Sequence, residues 1–323
     1  MKICVIGAGA IGGWMAGLLA EAGNDVSLFA RGETLEALKA DGLKIRRKGK
    51  EQVYRLTASN DQAELGAQDA VIIAVKGQAV PASAQSAKAL CGKDAIVIPA
   101  VNGIPWWFFQ VKGVLQSGFA LSAVDPAGET AKAIAPERVI GCVVHASAWT
   151  PQPGVVEVNG EDKLIFGEPV GAKSARLEAF AAAFGQPAAP QIVVSDNIRR
   201  DIWLKLWGNM TMNPLSALTG ATTLQMLSDP DVRNLVRAMM IEMQKIGAKI
   251  GLPIPLTPED RMEITRKLGD IKTSMLRDWE AHRELEIAPI LGVLAEIAQQ
   301  VNEPAPFLHA VLGLLRLKAG IQS

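Results

Sequence analysis

The first hundred residues alternate between short apolar runs and segments with a helical distribution of apolar positions. The apolar, β-rich runs lie at 2–7, 26–30, 70–75 and 95–99, and the helix-compatible segments lie at 11–22, 62–65 and 81–90. Strands that alternate with helices at this spacing predict a parallel, doubly wound sheet.

Further β-rich sequence interrupts and follows this alternation. Residues 43–56 alternate around a Lys-Gly-Lys tip at 48–50, which predicts a hairpin inserted in the second crossover. Its basic residues suit a solvated tip, with a contact to phosphate or nucleic acid as the alternative. Residues 138–168 contain three β-rich runs punctuated by Gly and Pro, and we expect them to extend the same sheet. A helix over 173–184 and a short strand over 191–194 follow.

From residue 196 onwards the pattern is almost entirely helical, and Ser195 or Asp196 is suited to be the N-cap of the first helix. We therefore place a domain boundary there, with a sheet domain over 1–195 and an all-helical domain over 196–323. Two apolar stretches of the helical domain, 287–297 and 307–317, could bury a homodimer interface or form the core of the helical bundle itself. The prolines that interrupt the helical pattern are Pro214, Pro230, those within 253–258 and those within 304–306.

Composition and charge exclude several classes of protein. Hydrophobic residues make up 49% of the chain, and 33 basic residues balance 33 acidic ones. No global field therefore attracts nucleic acid or an acidic membrane. Three isolated cysteines, and the wide separation of the histidines, argue against a disulfide framework and a metal site. Glycines interrupt the apolar N-terminus and no later apolar run is long enough to span a membrane, so we expect a soluble cytoplasmic protein.

A glycine-rich hexamer, Gly7-Ala8-Gly9-Ala10-Ile11-Gly12, connects the first predicted strand to the first predicted helix. The GxGxxG pattern in this context is typical of dinucleotide binding and predicts a Rossmann-type sheet domain. The first glycine permits the tight turn, the second admits a pyrophosphate, and the third lets helix and strand pack closely. The helix N-terminus then offers free N–H groups to the phosphates. A purely structural turn is the alternative.

The residue that closes the second strand distinguishes NAD from NADP. Domains that bind NAD usually carry an acidic residue there, whereas this chain has Arg31. A guanidinium can pair with the 2′-phosphate of NADP, so the sequence favours NADP as the cofactor. An ordinary surface cation is the competing interpretation of Arg31.

A candidate proton donor lies in the helical domain. Lys205 and Asn209 are four residues apart and share one helical face, from which Asn213 is offset. Asparagine is a poor helix former, so its recurrence along one edge indicates a binding surface, with a solvated face as the alternative. We expect Pro214 to end or kink this helix near Asn213.

The whole chain resembles the ketopantoate reductase (2-dehydropantoate 2-reductase) family. The resemblance implies an NADPH-dependent reduction of ketopantoate to pantoate, a step of pantothenate and coenzyme A biosynthesis. The motifs that carry it, in order, are GxGxxG, Arg31, Val75-Lys76, Val101-Asn102-Gly103, the Lys205/Asn209/Asn213 helix with Pro214, and residues 273–278 followed by Glu286.

The resemblance also implies roles for single residues. Lys205 would be the general acid that protonates the nascent alcohol, and Glu286 would hold the substrate and help to order that lysine. The substrate-binding residues would be Asn209, Asn213 and Ser274, and the residues near the cofactor would include Lys76 and Asn102.

The spacing of these residues adds two expectations. Lys76 and Asn102 follow predicted parallel strands, at the sheet edge where ligands bind. Ser274 and Glu286 are twelve residues apart, which is about 18 Å along one helix. A small substrate can meet both only if that helix bends or breaks between them.

Two features depart from the family pattern. Thr223 stands where a further substrate-binding asparagine would be sought. The Trp106-Trp107-Phe108-Phe109 cluster suits a core or domain interface better than the wall of a substrate cleft. Both leave room for another 2-keto acid as substrate. A non-catalytic nucleotide sensor is a further alternative, although a sensor has no need of a proton donor.

Overall fold

The computed structural model describes residues 1–171, 173–188 and 190–322, with side chains except at 161, 162, 321 and 322. The strands are β1 (Lys2–Ile6), β2 (Asp25–Phe29), β3 (Leu43–Arg47), β4 (Lys50–Tyr54), β5 (Thr57–Ser59), β6 (Gln68–Ile73), β7 (Cys91–Pro99), β8 (Gly141–Gln152), β9 (Val155–Gly167) and β10 (Gln191–Val194). The helices are α1 (Ala10–Glu21), α2 (Gly32–Asp41), α3 (Gln62–Leu65), α4 (Val80–Leu90), α5 (Glu129–Ala133), α6 (Ala175–Ala182), α7 (Ile198–Thr219), α8 (Thr223–Ser228), α9 (Pro230–Lys249), α10 (Pro258–Lys267), α11 (Ser274–Glu280), α12 (Val293–Gln300) and α13 (Pro306–Gln322).

The predicted doubly wound sheet is present. Its five strands are parallel and lie in the order β5-β2-β1-β6-β7. Because the strands run in one direction, their carboxyl ends meet at one edge, where ligands of such sheets bind. The residues that follow β1, β2, β6 and β7 at this edge include Gly7, Arg31, Lys76 and Asn102.

Residues 138–168 do not extend that sheet, so this expectation is wrong. Strands β8, β9 and β10 form a second sheet with the predicted hairpin β3–β4. Strand β8 pairs with one edge of β9, and β3 and β10 share its other edge. Within the described ranges, only an isolated pairing of Val97 with Val139 joins the two sheets.

Helix α1 explains why a second sheet forms. Eight of its 12 residues are buried, and a helix that is apolar all round must be covered on more than one side. The second sheet covers the side that the first sheet leaves open. Contact there is close, because a Cβ added to Gly13 would lie 2.7 Å from Val156, and one added to Gly17 would lie 2.3 Å from Ile45.

Helix α7 is the centre of the helical domain and contacts α9, α11 and α13. It continues through Pro214 to Thr219, so of the two expected effects of Pro214, an end or a kink near Asn213, the end is wrong. Fifteen of its 22 residues are buried, and this packing outweighs the one backbone hydrogen bond that a proline removes. The Ser216 hydroxyl also donates to the Asn213 carbonyl at 2.9 Å.

The N-cap of α7 is Asn197, and the prediction of Ser195 or Asp196 is wrong by one or two positions. The Asn197 side chain accepts the Arg200 N–H at 3.1 Å. The Ser195 hydroxyl is instead bonded to the Asp201 carboxylate in the first turn of the helix. That contact fixes the chain just before the helix begins.

Most of the large apolar side chains in the segments 106–109 and 287–297 lie in the core. Residues 106–109 form a 3₁₀ turn whose four side chains are all buried, as a core cluster requires. The stretch 287–297 also lies largely in the core of the helical domain. The stretch 307–317 buries one face and exposes the other. None of the described helices combines the length and the apolar composition that a membrane span requires.

Glu242→Gln tests how α13 is held on this domain. The buried Glu242 carboxylate accepts the N–H groups of Phe307 and Leu308, both at 2.9 Å, at the start of α13. An amide can accept with one oxygen only and lacks the charge that favours a helix N-terminus. We expect the free energy of unfolding to fall by ~1–3 kcal/mol, measured by urea denaturation.

The matched control is Glu280→Gln, which removes only a surface ion pair with Lys272. Surface ion pairs contribute little to stability, so this variant should unfold at nearly the same urea concentration as the unmodified protein. Equal midpoints for the two variants would contradict the role given to Glu242.

Candidate active site

The turn between β1 and α1 has the shape that a pyrophosphate requires. Gly7 has a φ of 94°, and a Cβ on Gly12 would lie 1.9 Å from the Gly7 carbonyl oxygen. A Cβ on Gly9 would meet nothing within 4 Å, and no side chain caps α1. Free N–H groups at the helix start therefore face open space, and these residues fit a dinucleotide phosphate.

Arg31 lies where a group that selects the dinucleotide would be needed. It follows β2, its backbone is extended, and it immediately precedes α2. Its side chain is exposed and has no hydrogen bond or ion pair within the described part of the chain. The guanidinium is therefore available to a phosphate on the adenosine ribose.

Three side chains from distant parts of the sequence form one hydrogen-bonded row. The Lys205 ammonium donates to Asn102 Oδ1 at 2.9 Å. Asn102 Nδ2 donates to Glu286 Oε2 at 3.1 Å. Glu286 Oε1 accepts the backbone N–H of Gly77 at 3.0 Å. Glu286 therefore orders Lys205 through Asn102, and no direct hydrogen bond joins the two charged groups.

Glu286 reaches this row because the helix that contains Ser274 breaks. Helix α11 ends at Glu280, and a π-helical turn begins only at Ala288. Pro289 of that turn lies against two glycines of the sheet domain. A Cβ on Gly103 would lie 1.9 Å from the Pro289 carbonyl oxygen, and one on Gly77 would lie 2.7 Å from its ring. The break that the spacing of Ser274 and Glu286 requires is thus present.

The environment of Lys205 favours release of its proton. Burial lowers the pKa of the ammonium to about 8, against an opposing contribution from the negative charge of Glu286. Burial also raises the pKa of the Cys142 thiol to about 12, so this neighbour is an uncharged thiol at neutral pH. A lysine whose pKa lies near neutrality is suited to general acid chemistry.

A second lysine lies on the other side of Glu286. The Lys76 ammonium is bonded to the Asp278 carboxylate and lies 3.8 Å from Glu286 Oε2. Asp278 is buried and also pairs with Arg283 at 3.2 Å. We did not assign Asp278 from the sequence. Asp278 lies four residues after Ser274 and therefore on the same helical face, and this spacing could have indicated that it belongs to the site.

The predicted substrate ligands lie along α7 and at the start of α11. Asn209 is half-buried and Asn213 is buried, and neither side chain has a hydrogen-bond partner within the described ranges. Ser274 is exposed at the first position of α11. The preceding residue, Thr273, holds it near α7 through a 2.5 Å contact with Ser216.

Thr223 does not replace a substrate-binding asparagine. It is buried, its hydroxyl donates to the Gly269 carbonyl at 3.1 Å, and the same oxygen accepts the Ile271 N–H at 3.3 Å. The Thr223 hydroxyl therefore both donates and accepts a hydrogen bond within the loop before α11. Among the described residues, no group of three His, Cys, Asp or Glu side chains is arranged to hold a metal ion.

Comparisons with known proteins agree with this architecture. Residues 3–171 match the family model "Ketopantoate reductase PanE/ApbA", and residues 197–319 match its C-terminal counterpart. A 2-dehydropantoate 2-reductase from Mesorhizobium japonicum is 40% identical over 98% of this chain and 97% of its own. The crystal structure of a candidate ketopantoate reductase from Ralstonia solanacearum is 44% identical, covers 99% of this chain and 98% of its own, and has a TM-score of 0.95. A ternary structure of D-mandelate dehydrogenase with NADH and anilino(oxo)acetate shares the fold at 22% identity, covering 100% of this chain and 99% of its own with a TM-score of 0.85.

Glu286→Gln is expected to shift the titration of Lys205. Burial would still disfavour the ammonium, while the negative charge that opposes this effect would be lost. The pKa of Lys205 should therefore fall below the value of about 8 that it has with Glu286 in place. Side-chain ¹⁵N NMR of the protein without ligands measures it.

Asp278→Asn is the control, because it removes another buried carboxylate of the same cluster whose partners are Lys76 and Arg283. This variant should leave the Lys205 titration nearly unchanged. If Lys205 has the same pKa in Glu286→Gln as in the unmodified protein, the charge of Glu286 does not influence Lys205 through Asn102.

Proposed function

The chain belongs to the ketopantoate reductase family of oxidoreductases, and on that premise we propose that it reduces 2-dehydropantoate to pantoate with NADPH. The observation that carries the proposal is the Lys205 ammonium, bonded to Asn102 beside the carboxyl end of β7 and with its pKa lowered to about 8. A reductase needs such a proton donor where the dinucleotide and the ketone meet. The product would enter pantothenate and coenzyme A biosynthesis, which is a cytoplasmic role.

Lys205 is proposed as the general acid. The chemistry that NADPH supplies when bound is transfer of a hydride to the carbonyl carbon of the ketone. Lys205 donates a proton to the carbonyl oxygen as negative charge develops there, which completes the alcohol. Asn102 Oδ1 accepts an N–H from either protonation state of the lysine, so the side chain stays oriented through the reaction.

Glu286 and the polar side chains of α7 and α11 are proposed to position the substrate. Asparagine amides both donate and accept hydrogen bonds, which suits a ligand that carries a hydroxyl and a carboxylate. Unpartnered amides on α7 support this role for Asn209 and Asn213. Ser274 would add a hydroxyl from the start of α11, and Glu286 would fix the Asn102 amide against which Lys205 is held.

The glycine turn at Gly7–Gly12 is proposed to bind the pyrophosphate, and Arg31 the 2′-phosphate of NADP. Lys76 and Asn102 would border the cofactor at the same sheet edge. The exposed, unpaired state of the Arg31 guanidinium supports NADP over NAD, because a buried ion pair would leave it unable to bind a phosphate.

A second candidate substrate is another 2-keto acid. The Thr223 hydroxyl is bonded to the loop before α11, which supports the interpretation that one substrate contact of the family is altered in this chain. A panel of 2-keto acids assayed with NADPH distinguishes the two proposals by the ratio of kcat/KM values.

Lys205→Met is expected to lower kcat by ~10²–10⁴-fold, because the variant lacks the proton donor. In the unmodified protein, reduction should slow as the pH rises through about 8, since only the protonated lysine can donate. Oxidation of pantoate should accelerate over the same range, because it needs the neutral amine. Steady-state rates between pH 6 and 10 (roughly two units on either side of this pKa) measure both limbs.

Lys272→Met, which removes an exposed lysine paired with Glu280, is the control for this experiment. This variant should keep the full rate and the same pH dependence for both reduction and oxidation. A pH profile that survives unchanged in Lys205→Met would show that another group donates the proton.

Arg31→Ala is expected to raise KM for NADPH roughly tenfold to a hundredfold and to leave KM for NADH unchanged. The reason is that only NADPH carries the 2′-phosphate that the guanidinium is proposed to bind. Arg55→Ala removes another exposed arginine, one that donates to the Ala40 carbonyl, and it should affect KM for neither cofactor. Equal losses with NADH and NADPH in Arg31→Ala would refute its assignment to the 2′-phosphate.

A further inference from the structure

Arg277 of α11 lies over an aromatic ring of the sheet domain. Its guanidinium carbon is 5.0 Å from the centre of the Trp149 ring on β8. The contact therefore joins the helical domain to the second sheet. Both side chains are partly exposed, so a ligand in the groove between the domains can reach the guanidinium.

The charge of Arg277 is not paired with a carboxylate of the described residues. Neighbouring cations are paired, Lys272 with Glu280 at 2.6 Å and Arg283 with Asp278 at 3.2 Å. Within the described ranges, the ring is the contact that the Arg277 guanidinium makes. An aromatic face attracts a guanidinium but leaves the N–H groups along its edge free. That edge is available to a planar anion such as a carboxylate.

Two contacts between the domains show which way this part of α11 faces. Residues three and four apart lie on one side of a helix, so Arg277 and Asp278 lie on either side of Ser274. Asp278 is bonded to Lys76 and Arg277 contacts Trp149, and both partners belong to the sheet domain. The exposed Ser274 between them therefore faces the sheet domain across the groove.

The same contacts connect Arg277 to the proposed proton donor. The next residue, Asp278, is bonded to Lys76, whose ammonium lies 3.8 Å from Glu286 Oε2. Glu286 belongs to the hydrogen-bonded row that ends at Lys205. The unpaired guanidinium thus adjoins the cluster of side chains in which the ketone is proposed to be reduced.

We propose that Arg277 binds the carboxylate of the 2-keto acid and thereby selects acids over neutral ketones. This inference rests on the proposed reductase function and adds to it a residue that sets the substrate class. The other lysines are committed, since Lys76 is paired with Asp278 and Lys205 gives up its proton to the carbonyl oxygen. In a 2-keto acid the carboxylate is attached to the ketone carbon, so two parallel N–H···O bonds from Arg277 also orient the carbonyl.

Trp149 is a positioning residue in this arrangement, because it acts on the substrate only through Arg277. An arginine side chain has several rotatable bonds, and ordering it costs free energy when a ligand binds. Contact with the Trp149 ring restricts the guanidinium before the substrate arrives.

A phosphate of the dinucleotide is the other anion that Arg277 could meet. The glycine turn already offers uncapped N–H groups to the pyrophosphate, and Arg31 is the candidate for the 2′-phosphate. The substrate carboxylate would have no fixed positive charge without Arg277. The carboxylate is therefore the favoured partner, and KM for NADPH distinguishes the two anions.

Arg277→Gln tests the proposal with a charged substrate and a neutral analogue of it. The substrate is the 2-keto acid that the unmodified protein reduces fastest, and the analogue is the methyl ester of that acid. For the acid, kcat/KM should fall ~10–100-fold, mainly through KM, because a charged hydrogen bond is lost. For the ester, kcat/KM should stay close to that of the unmodified protein, and KM for NADPH should not change.

Calorimetric titration of the same acid into the protein saturated with NADP⁺ measures binding without turnover. The Kd should rise in Arg277→Gln by the factor seen in KM. Binding that depends on Arg277 without turnover by the unmodified protein would support the carboxylate site and refute the reductase function. Equal losses with acid and ester, or a rise in KM for NADPH in place of KM for the acid, would overturn the role of Arg277.

Arg237→Gln is the matched control, because it removes an exposed arginine of α9 that is paired with Glu259. It should leave the constants for acid, ester and NADPH unchanged. Trp149→Leu should raise KM for the acid several-fold and leave KM for the ester unchanged, while Trp149→Phe, which keeps a ring, should restore most of the loss. If the leucine and phenylalanine variants behave alike, Trp149 does not position Arg277.

Discussion

The hydrogen bond between the Lys205 ammonium and the Asn102 amide is the interaction on which the candidate site depends. A lysine removed from water loses the solvation of its charged form, and burial lowers its pKa to about 8. A direct ion pair with Glu286 would restore much of that stability and keep the proton bound. The neutral amide of Asn102 separates the two charges while donating to one and accepting from the other. The lysine is therefore oriented by the carboxylate without being paired with it.

This arrangement requires the two domains to approach closely. Asn102 follows a strand of the sheet domain, whereas Lys205 and Glu286 come from the helical domain. Contact at this point is possible because the sheet domain has glycines where Pro289 lies against it. Gly103 has a φ of 82° and leaves no room for a side chain beside the Pro289 carbonyl. The geometry of the hydrogen-bonded row thus rests on a backbone contact between residues that lie close in sequence to Asn102 and Glu286.

The sequence predicted the parts of the fold that local patterns determine. The parallel sheet, the hairpin and the glycine turn follow from periodicity and from the steric needs of glycine. The second sheet was missed because strand pairing between residues 45 and 156 has no local signal. A signal did exist in α1, whose apolar residues cover more than one face. Prolines were informative at helix starts, where Pro230, Pro258 and Pro306 open helices. Inside α7, tertiary packing outweighed the effect of Pro214.

The candidate site was less predictable from local pattern, and its two lysines show why. Lys76 and Lys205 both lie near Glu286, and the helical spacing that made Lys205 the candidate proton donor left a solvated face as the alternative. The structure separates them by their partners. Lys76 is half-exposed and bonded to the buried Asp278 carboxylate, whose charge stabilises the ammonium. Lys205 is bonded to a neutral amide and has lost most of its solvation. Burial lowers the pKa of Lys205, so Lys205 is the group suited to donate a proton.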